Sequence, residues 1–318
     1  MRRTIIMLFI SLPLLGAQAS ASSPPQAAFL DSGFSVKYAG LAGAGSAFSE
    51  DANAVYMNPA GIRLLEWNEL NFFYSDYKKL IPNSYVSAGF KAGNLPLAGS
   101  LLVSGDELYK ETSLSLGASA RLSDFPLRWL SRKFRYSPLA GGAALRIHSA
   151  GFGGNADGGS ERIRGSSAGF SIDAGFQYEI DKVRLGLVFR NLMAPIYWKK
   201  NGYPLSRESL PLGYTIGIGA PAGESGRVMA DLRDGKRLMA GIEKKILWIF
   251  QARGGYSQNL SMPLQREYTV GLGINALRFG NFVMNWDVSY GFEAIENTLR
   301  TGFSILYRPS SRARFAFR

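Results

Sequence analysis

The stretch "AGFSIDAGFQYEI", residues 168–180, alternates strictly: Ala168, Phe170, Ile172, Ala174, Phe176, Tyr178 and Ile180 are apolar or aromatic, while Gly169, Ser171, Asp173, Gly175, Gln177 and Glu179 are small or polar. A β-strand sends successive side chains to opposite faces, so these two sets must line two different surfaces. The same alternation returns in "YTVGLGINA" (268–276) and "NFVMNWDVSYGF" (281–292). A water-soluble β-sandwich alternates in the same way, so what faces the greasy side has to be read from context.

The context favours lipid. The chain opens on "MRRTIIMLFISLPLLGAQASA", with Arg2 and Arg3 before an apolar run and small residues at Ala17, Ala19 and Ala21, the pattern of an export signal cleaved near Ala21. That run is too short to span a bilayer as a helix, and no later stretch is long and apolar enough. The alternating segments reach about ten residues, whereas globular strands average about five or six. Tyr74, Tyr77, Tyr178, Tyr197, Trp198, Trp248 and Tyr307 fall near strand ends, where amphipathic rings suit a membrane interface. An open sheet edge in hydrocarbon would leave backbone groups unpaired at several kcal/mol each, so the sheet must close.

From 69–77 to 297–307 the sequence carries fourteen candidate strands, an even number as expected for a transmembrane antiparallel β-barrel. The weakest divisions lie around Lys244 to Trp248 and in the third strand, 97–109, where Gly105 and Asp106 interrupt the apolar face. With both ends in the periplasm, the connections "GFGGNADGGSERIRG" and "PIYWKKNGYPLSRES" fall outside, and "EIDK" and "PAGESG" inside. Residues 123–138 are long for an inner turn and place Phe125, Trp129, Leu130 and Phe134 on one face of an amphipathic helix. The expected organisation is a signal peptide (1–21), an N-terminal hatch (22–66) and a transmembrane β-barrel (67–318).

Net charge is +12, or +10 without Arg2 and Arg3. In an exported chain this points to anionic lipid head groups or acidic surfaces, not to nucleic acid. The absence of cysteine excludes disulfides, thiolate metal sites and N-terminal lipidation. The single histidine, His148, excludes multi-histidine metal sites and leaves a Ser/His enzyme only one base; its neighbour is Ser149, and it reads as a strand-end residue near water. No cofactor and no catalytic residues are expected.

Residues 28–62 lack sustained alternation. Ser49 is placed to cap a short helix whose first turn carries Glu50 and Asp51, and Pro59 biases Asn58 out of helical geometry before Gly61 completes a turn. Such a folded-back piece fits inside a barrel of about fourteen strands. The run "GLAGAG" has the wrong glycine spacing for a dinucleotide-binding turn.

The stretch "AGLAGAGSAFSEDANAVYMNPAGI", residues 39–62, resembles the N-terminal signature of the long-chain fatty-acid transporter (FadL-type) superfamily, especially its PorV/PorQ branch. "GLVFRNLMAPI", residues 186–196, is similar to a mid-barrel segment of that branch. The resemblance implies a fourteen-stranded outer-membrane barrel with an N-terminal hatch to which Asp51, Asn58, Pro59, Ala60 and Gly61 belong. The chain is short for the fatty-acid transporters and ends at Arg318 instead of a terminal aromatic.

Two functions are expected from these features. One is passage or binding of hydrophobic small molecules such as fatty acids, with Gly105 and Asp106 as a lateral gate. The alternative is a partner protein of a type IX secretion or surface-attachment system, in which Tyr197, Trp198, Lys199 and Lys200 form an extracellular loop that binds secreted protein cargo. Both involve contact with outer-membrane lipid.

Overall fold

Alternation over ten or more residues gives long strands, and in a computed structural model they pair in sequence until the first strand meets the last. Residues 34–92, 95–124, 138–153, 164–247, 249–294 and 296–307 are described. The expected signal segment, the helix expected within 123–138, Trp248 and the tail after Tyr307 lie wholly or mainly outside them.

The strands are β1 (Asn68–Tyr77), β2 (Ile81–Ala92), β3 (Leu95–Gly105), β4 (Tyr109–Arg121), β5 (Ala140–Phe152), β6 (Gly165–Ile180), β7 (Val183–Met193), β8 (Pro195–Lys200), β9 (Ser206–Ser209), β10 (Gly213–Ala222), β11 (Gly226–Arg233), β12 (Arg237–Ile246), β13 (Phe250–Asn259), β14 (Arg266–Phe279), β15 (Phe282–Glu293) and β16 (Thr298–Tyr307). Fourteen of them, β1–β7 and β10–β16, form a closed antiparallel barrel, sealed by the β5–β6 and β1–β16 pairings. The short β8 and β9 extend β7 and β10 outward as a hairpin, with β8 also pairing to the upper part of β6. The end where β1 starts and β16 finishes is called inner below, and the opposite end outer.

The period-two pattern sorts as the sequence predicts. On β6, Ser171 and Asp173 are 0% exposed and face the lumen, whereas Phe176 and Tyr178 are 37% exposed on the outside. On β14, Val270 and Leu272 are about half exposed, while the adjacent Thr269 is buried. An outer surface this apolar is incompatible with water as its solvent and suits acyl chains.

Of the two weak places in the expected strand division, the one in the third strand needs correction and the one near Lys244 stands. Gly105 and Asp106 do not interrupt the third strand: they end it. The β3–β4 ladder runs unbroken from Leu97–Ala118 to Gly105–Lys110, and Asp106 Oδ1 accepts hydrogen bonds from the Leu108 and Tyr109 amides to close the turn. Gly105 sits there at φ +100°, and a Cβ would lie 2.0 Å from the Tyr109 carbonyl oxygen. The hairpin between β12 and β13 forms although Lys244 to Trp248 lack a conventional turn signal, with Leu247 at φ +58°.

The lumen is filled by residues 34–65. They form two single-turn helices, α1 (Val36–Ala39) and α2 (Ala54–Met57), and a 3-10 turn at Pro59–Leu64. Phe34, Tyr38, Leu41, Phe48 and Met57 pack with wall residues Phe73, Tyr85, Leu102, Met229 and Met239. Ala52, Val55, Ile62 and Leu65 pack against Ala98 and Ala144 on the other side. Wall glycines admit the segment's backbone. A Cβ at Gly142 would lie 2.4 Å from the Pro59 carbonyl, and Gly175, Gly186 and Gly255 meet Asn58, Ser46 and Leu41 as closely.

Candidate functional site

Polar side chains tie the inner segment to the wall. Asp231 Oδ2 on β11 accepts from the amides of Gly45 and Ser46 at 3.0 and 2.9 Å. Gln177 on β6 donates to the Ser46 and Ala47 carbonyls, and Thr269 on β14 to the Gly40 carbonyl. The central knot is Asn58. Preceding Pro59, it is held extended at φ −154°, which ends α2. Its Oδ1 accepts from the Ala60 amide, and its Nδ2 donates to Ser46 O at 2.8 Å and to Phe176 O on β6 at 3.2 Å. Asn58 and Ala60 are completely buried, and a Cβ on Gly61 would lie 1.9 Å from Ser49 O.

Ser49 does not cap a helix. Its hydroxyl donates to Asn58 O and accepts from Gln177, while α2 begins only at Ala54. Glu50 and Asp51 are held elsewhere before a helix can start: Asp51 Oδ1 accepts from the Asn53 amide, and Asp51 Oδ2 takes the Lys37 ammonium at 3.1 Å.

Below this knot, toward the inner end, a chain of ion pairs crosses the lumen. Glu50 bridges Arg184 on β7 and Arg227 on β11. Arg227 reaches Glu243 on β12 at 3.7 Å, Arg253 on β13 reaches Glu243 at 2.7 Å, and Arg253 also pairs with Asp287 on β15. Burial alone would raise the Glu50 carboxyl, but Arg227, Lys37 and Arg184 outweigh it and hold the group below its ordinary range. Burial likewise opposes the charged form of Lys37, and the surrounding Tyr38, Asp51 and Glu243 hold it protonated. Beside this chain lies a cavity of about 400 Å³ lined by Phe34, Lys37, Asp51, Glu69, Arg253 and Asp287 among others. It is a charged vestibule, poorly suited to an apolar molecule.

The outer half of the lumen differs. Arg146 on β5 stacks over the Tyr56 ring at 4.4 Å and pairs with Asp173 on β6 at 2.5 Å, both essentially unexposed. His148 is corrected from a strand-end position: it lies within β5, faces inward, is 6% exposed, and its Nε2 is 2.9 Å from Ser171 Oγ, not beside Ser149. A serine–histidine pair needs an orienting acceptor on the second ring nitrogen. Asp173 instead holds Arg146 and the Asn191 amide, and among the described residues His148 Nδ1 has no partner. The pair is therefore not a catalytic triad.

Further outward the lining turns apolar. Ala194, Ile196, Trp198 and Leu210 form a buried cluster against Ala150 and Phe152. Residues Tyr197, Trp198, Lys199 and Lys200, expected in a free loop, belong to β8. Pairing with β6 turns Trp198 into the lumen, 5% exposed and 6.1 Å from the Phe152 ring, and leaves Tyr197 outside. Strand alternation, running on past the expected strand end, could have shown this.

The wall is irregular beside this cluster. Ile172–Met193 and Ala174–Phe189 are successive β6–β7 pairs, so β7 carries two extra residues there, with Asn191 at φ +58°. Asn191 Nδ2 bonds the Pro211 carbonyl, and Leu192, Met193 and Leu212 are more than half exposed around the bulge. Sequence reasoning missed this feature; the "RNLMAP" run, polar then apolar then Pro, was its only trace.

No protein-family model matches the sequence, and no curated protein matches it. Solved structures do match in fold. The chain is similar to the CymD monoaromatic hydrocarbon channel (14% identity, TM-score 0.58, 88% of this chain and 99% of that one). It is also similar to the toluene transporter TodX of P. putida (13%, 0.59, 88% and 99%) and to a FadL homologue of Pseudomonas aeruginosa (11%, 0.57, 86% and 98%). At these identities the likeness is one of architecture: the barrel is of the FadL type in fold.

Proposed function

We propose that the protein is a bacterial outer-membrane channel that admits hydrophobic small molecules from outside and releases them into the membrane, with residues 34–65 as a hatch. The observation that carries this reading is the apolar cluster of Phe152, Ile196, Trp198 and Leu210 on the inner face of the wall at its outer end, outward of the Arg146–Asp173 ion pair. Ligand sites are concave and mostly apolar, with few polar groups to orient the guest. The similar folds of channels for toluene and monoaromatic hydrocarbons support this reading.

The hatch and the charged vestibule oppose straight passage of an apolar guest to the inner mouth. Beside the cluster, the β7 bulge with Leu192 and Met193 on its lipid side offers a shorter way out through the wall. This is a more suitable lateral opening than Gly105 and Asp106, which sit in a hydrogen-bonded turn. For the secretion-partner reading, Tyr197, Lys199 and Lys200 remain exposed on β8 and only Trp198 is turned inward.

The test is binding and uptake by the barrel reconstituted in vesicles. A brominated fatty acid or brominated toluene added outside should quench Trp198 fluorescence, and Trp198→Ser should lower uptake at least several-fold while Asp106→Asn, which keeps the turn's acceptor oxygen, leaves it intact. Undiminished uptake in Trp198→Ser would remove the cluster from the route.

A further inference from the structure

The outer rim is not uniform in charge. On the wall's outer face, Lys110 of β4 is the ladder neighbour of Gly151 on β5, Gly151 of Ser166 on β6, and Ser166 of Lys199 on β8. One step on, Tyr197 faces Arg207 of β9, whose guanidinium lies 6.0 Å from the ring centroid. Lys110, Tyr197, Lys199 and Arg207 are all exposed. Strand alternation turns Glu111 and Glu208 toward the lumen, and Asp106 is engaged by its own turn. Below on the same face, past the Thr112–Ser149 pair, come Leu114 and Ile147, 41% and 50% exposed, which are paired across β4 and β5. Elsewhere around the barrel the exposed positions near this level include Asp76, Leu238, Phe292 and Leu299, with Arg266 an isolated cation in the row of Leu238 and Gln258.

We propose that this sector, Lys110, Lys199 and Arg207 with Tyr197, binds the phosphate groups of an acylated glycolipid in the outer leaflet, whose chains lie against Leu114 and Ile147. Cations placed just above an apolar band match a molecule with anionic phosphates attached to several acyl chains. Neither a soluble anion nor a neutral lipid would use both halves. The aromatic ring between the cations suits the interfacial level at which the phosphates sit. The inference rests on the outer-membrane reading above and adds a partner to it. It also gives part of the chain's basic balance a location.

The test uses the full mature chain, refolded in detergent and offered bis-phosphoryl lipid A, its dephosphorylated form, or inorganic phosphate, with retention read by native mass spectrometry. The wild type should retain the bis-phosphoryl lipid, and the triple variant Lys110→Gln, Lys199→Gln, Arg207→Gln should lose it by roughly fivefold per charge removed. Lys110→Arg with Lys199→Arg should restore retention when Arg207 is kept. Equal retention by wild type and triple variant, equal retention of the dephosphorylated lipid, or competition by inorganic phosphate at similar concentration would overturn the proposal. Vesicle insertion and heat-modifiable migration, measured on the same samples, separate the outcomes. A chain that inserts but retains no lipid defeats only this inference, whereas one that fails to insert defeats the channel reading with it.

Discussion

Replacing Asn58 by Ala tests what keeps the lumen closed. The side chain makes three hydrogen bonds from a completely buried position: one to the Ala60 amide, one to Ser46 O within the inner segment, and one to Phe176 O on the wall. Losing the first removes a cap and orphans a buried amide, worth about 1–2 kcal/mol. Losing the other two costs about 1 kcal/mol each at most, because Ser46 O keeps Gln177 as a donor at 3.3 Å. The docked state should therefore weaken by about 2–4 kcal/mol, which multiplies the undocked population roughly 30- to 1000-fold. The barrel's own ladder is untouched, so heat-modifiable migration should be unchanged. In planar bilayers the variant should show a matching rise in open probability, and limited proteolysis should cleave residues 34–65 sooner. Asn58→Asp, which keeps the cap but turns both donors into acceptors facing carbonyls, should behave at least as badly. Wild-type conductance and wild-type protease protection in Asn58→Ala would refute the idea that this residue joins segment to wall.

Three further outcomes follow from the same packing. Glu50→Gln should raise open probability at neutral pH. In the wild type, the Glu50 carboxyl is held low by Arg227, Lys37 and Arg184, so its stabilisation is complete above the unfolded carboxyl value of about 4.3 and is lost as pH falls through the lower folded value; conductance should rise in acid, and less so in Glu50→Gln. Gly142→Val should impair refolding yield, because the new side chain would enter the Pro59 carbonyl, and deleting residues 34–65 should relieve the defect. Arg146→Met alone should destabilise by about 3–5 kcal/mol by leaving Asp173 buried without its ion-pair partner, whereas Arg146→Met with Asp173→Leu should recover most of that loss in denaturant titrations.

The barrel was legible in the sequence because a lipid-facing strand is specified residue by residue: Phe170, Ile172, Phe176 and Tyr178 had no other face to occupy, and Ser171, Asp173 and Gln177 fell inside by parity alone. Parity says nothing about what meets a lumen-facing residue. Asp231 reads as an ordinary polar position on β11, and only the fold brings it against amides 185 and 186 residues earlier in the chain. His148 and Ser171 lie 23 positions apart and meet because β5 and β6 close one seam of the barrel. The misplacements have a common cause. By residue type Gly105 reads as a breaker and Tyr197 and Trp198 as interface aromatics, although the alternation around them fixes their sides. Trp198 stands opposite Ser167, which is inward by the same count that places Ser171 inward, so the cluster could have been found by carrying parity to the end of the hairpin. The β7 bulge could not: two extra residues leave the parity on either side of them unchanged, so the alternation does not betray them. Asn191 at positive φ, with its amide held by Asp173, is a contact between strands that one-dimensional periodicity does not encode. In a barrel the wall is written in the period, and its irregularities, here between β6 and β7 and between β14 and β15, are written in the exceptions to it.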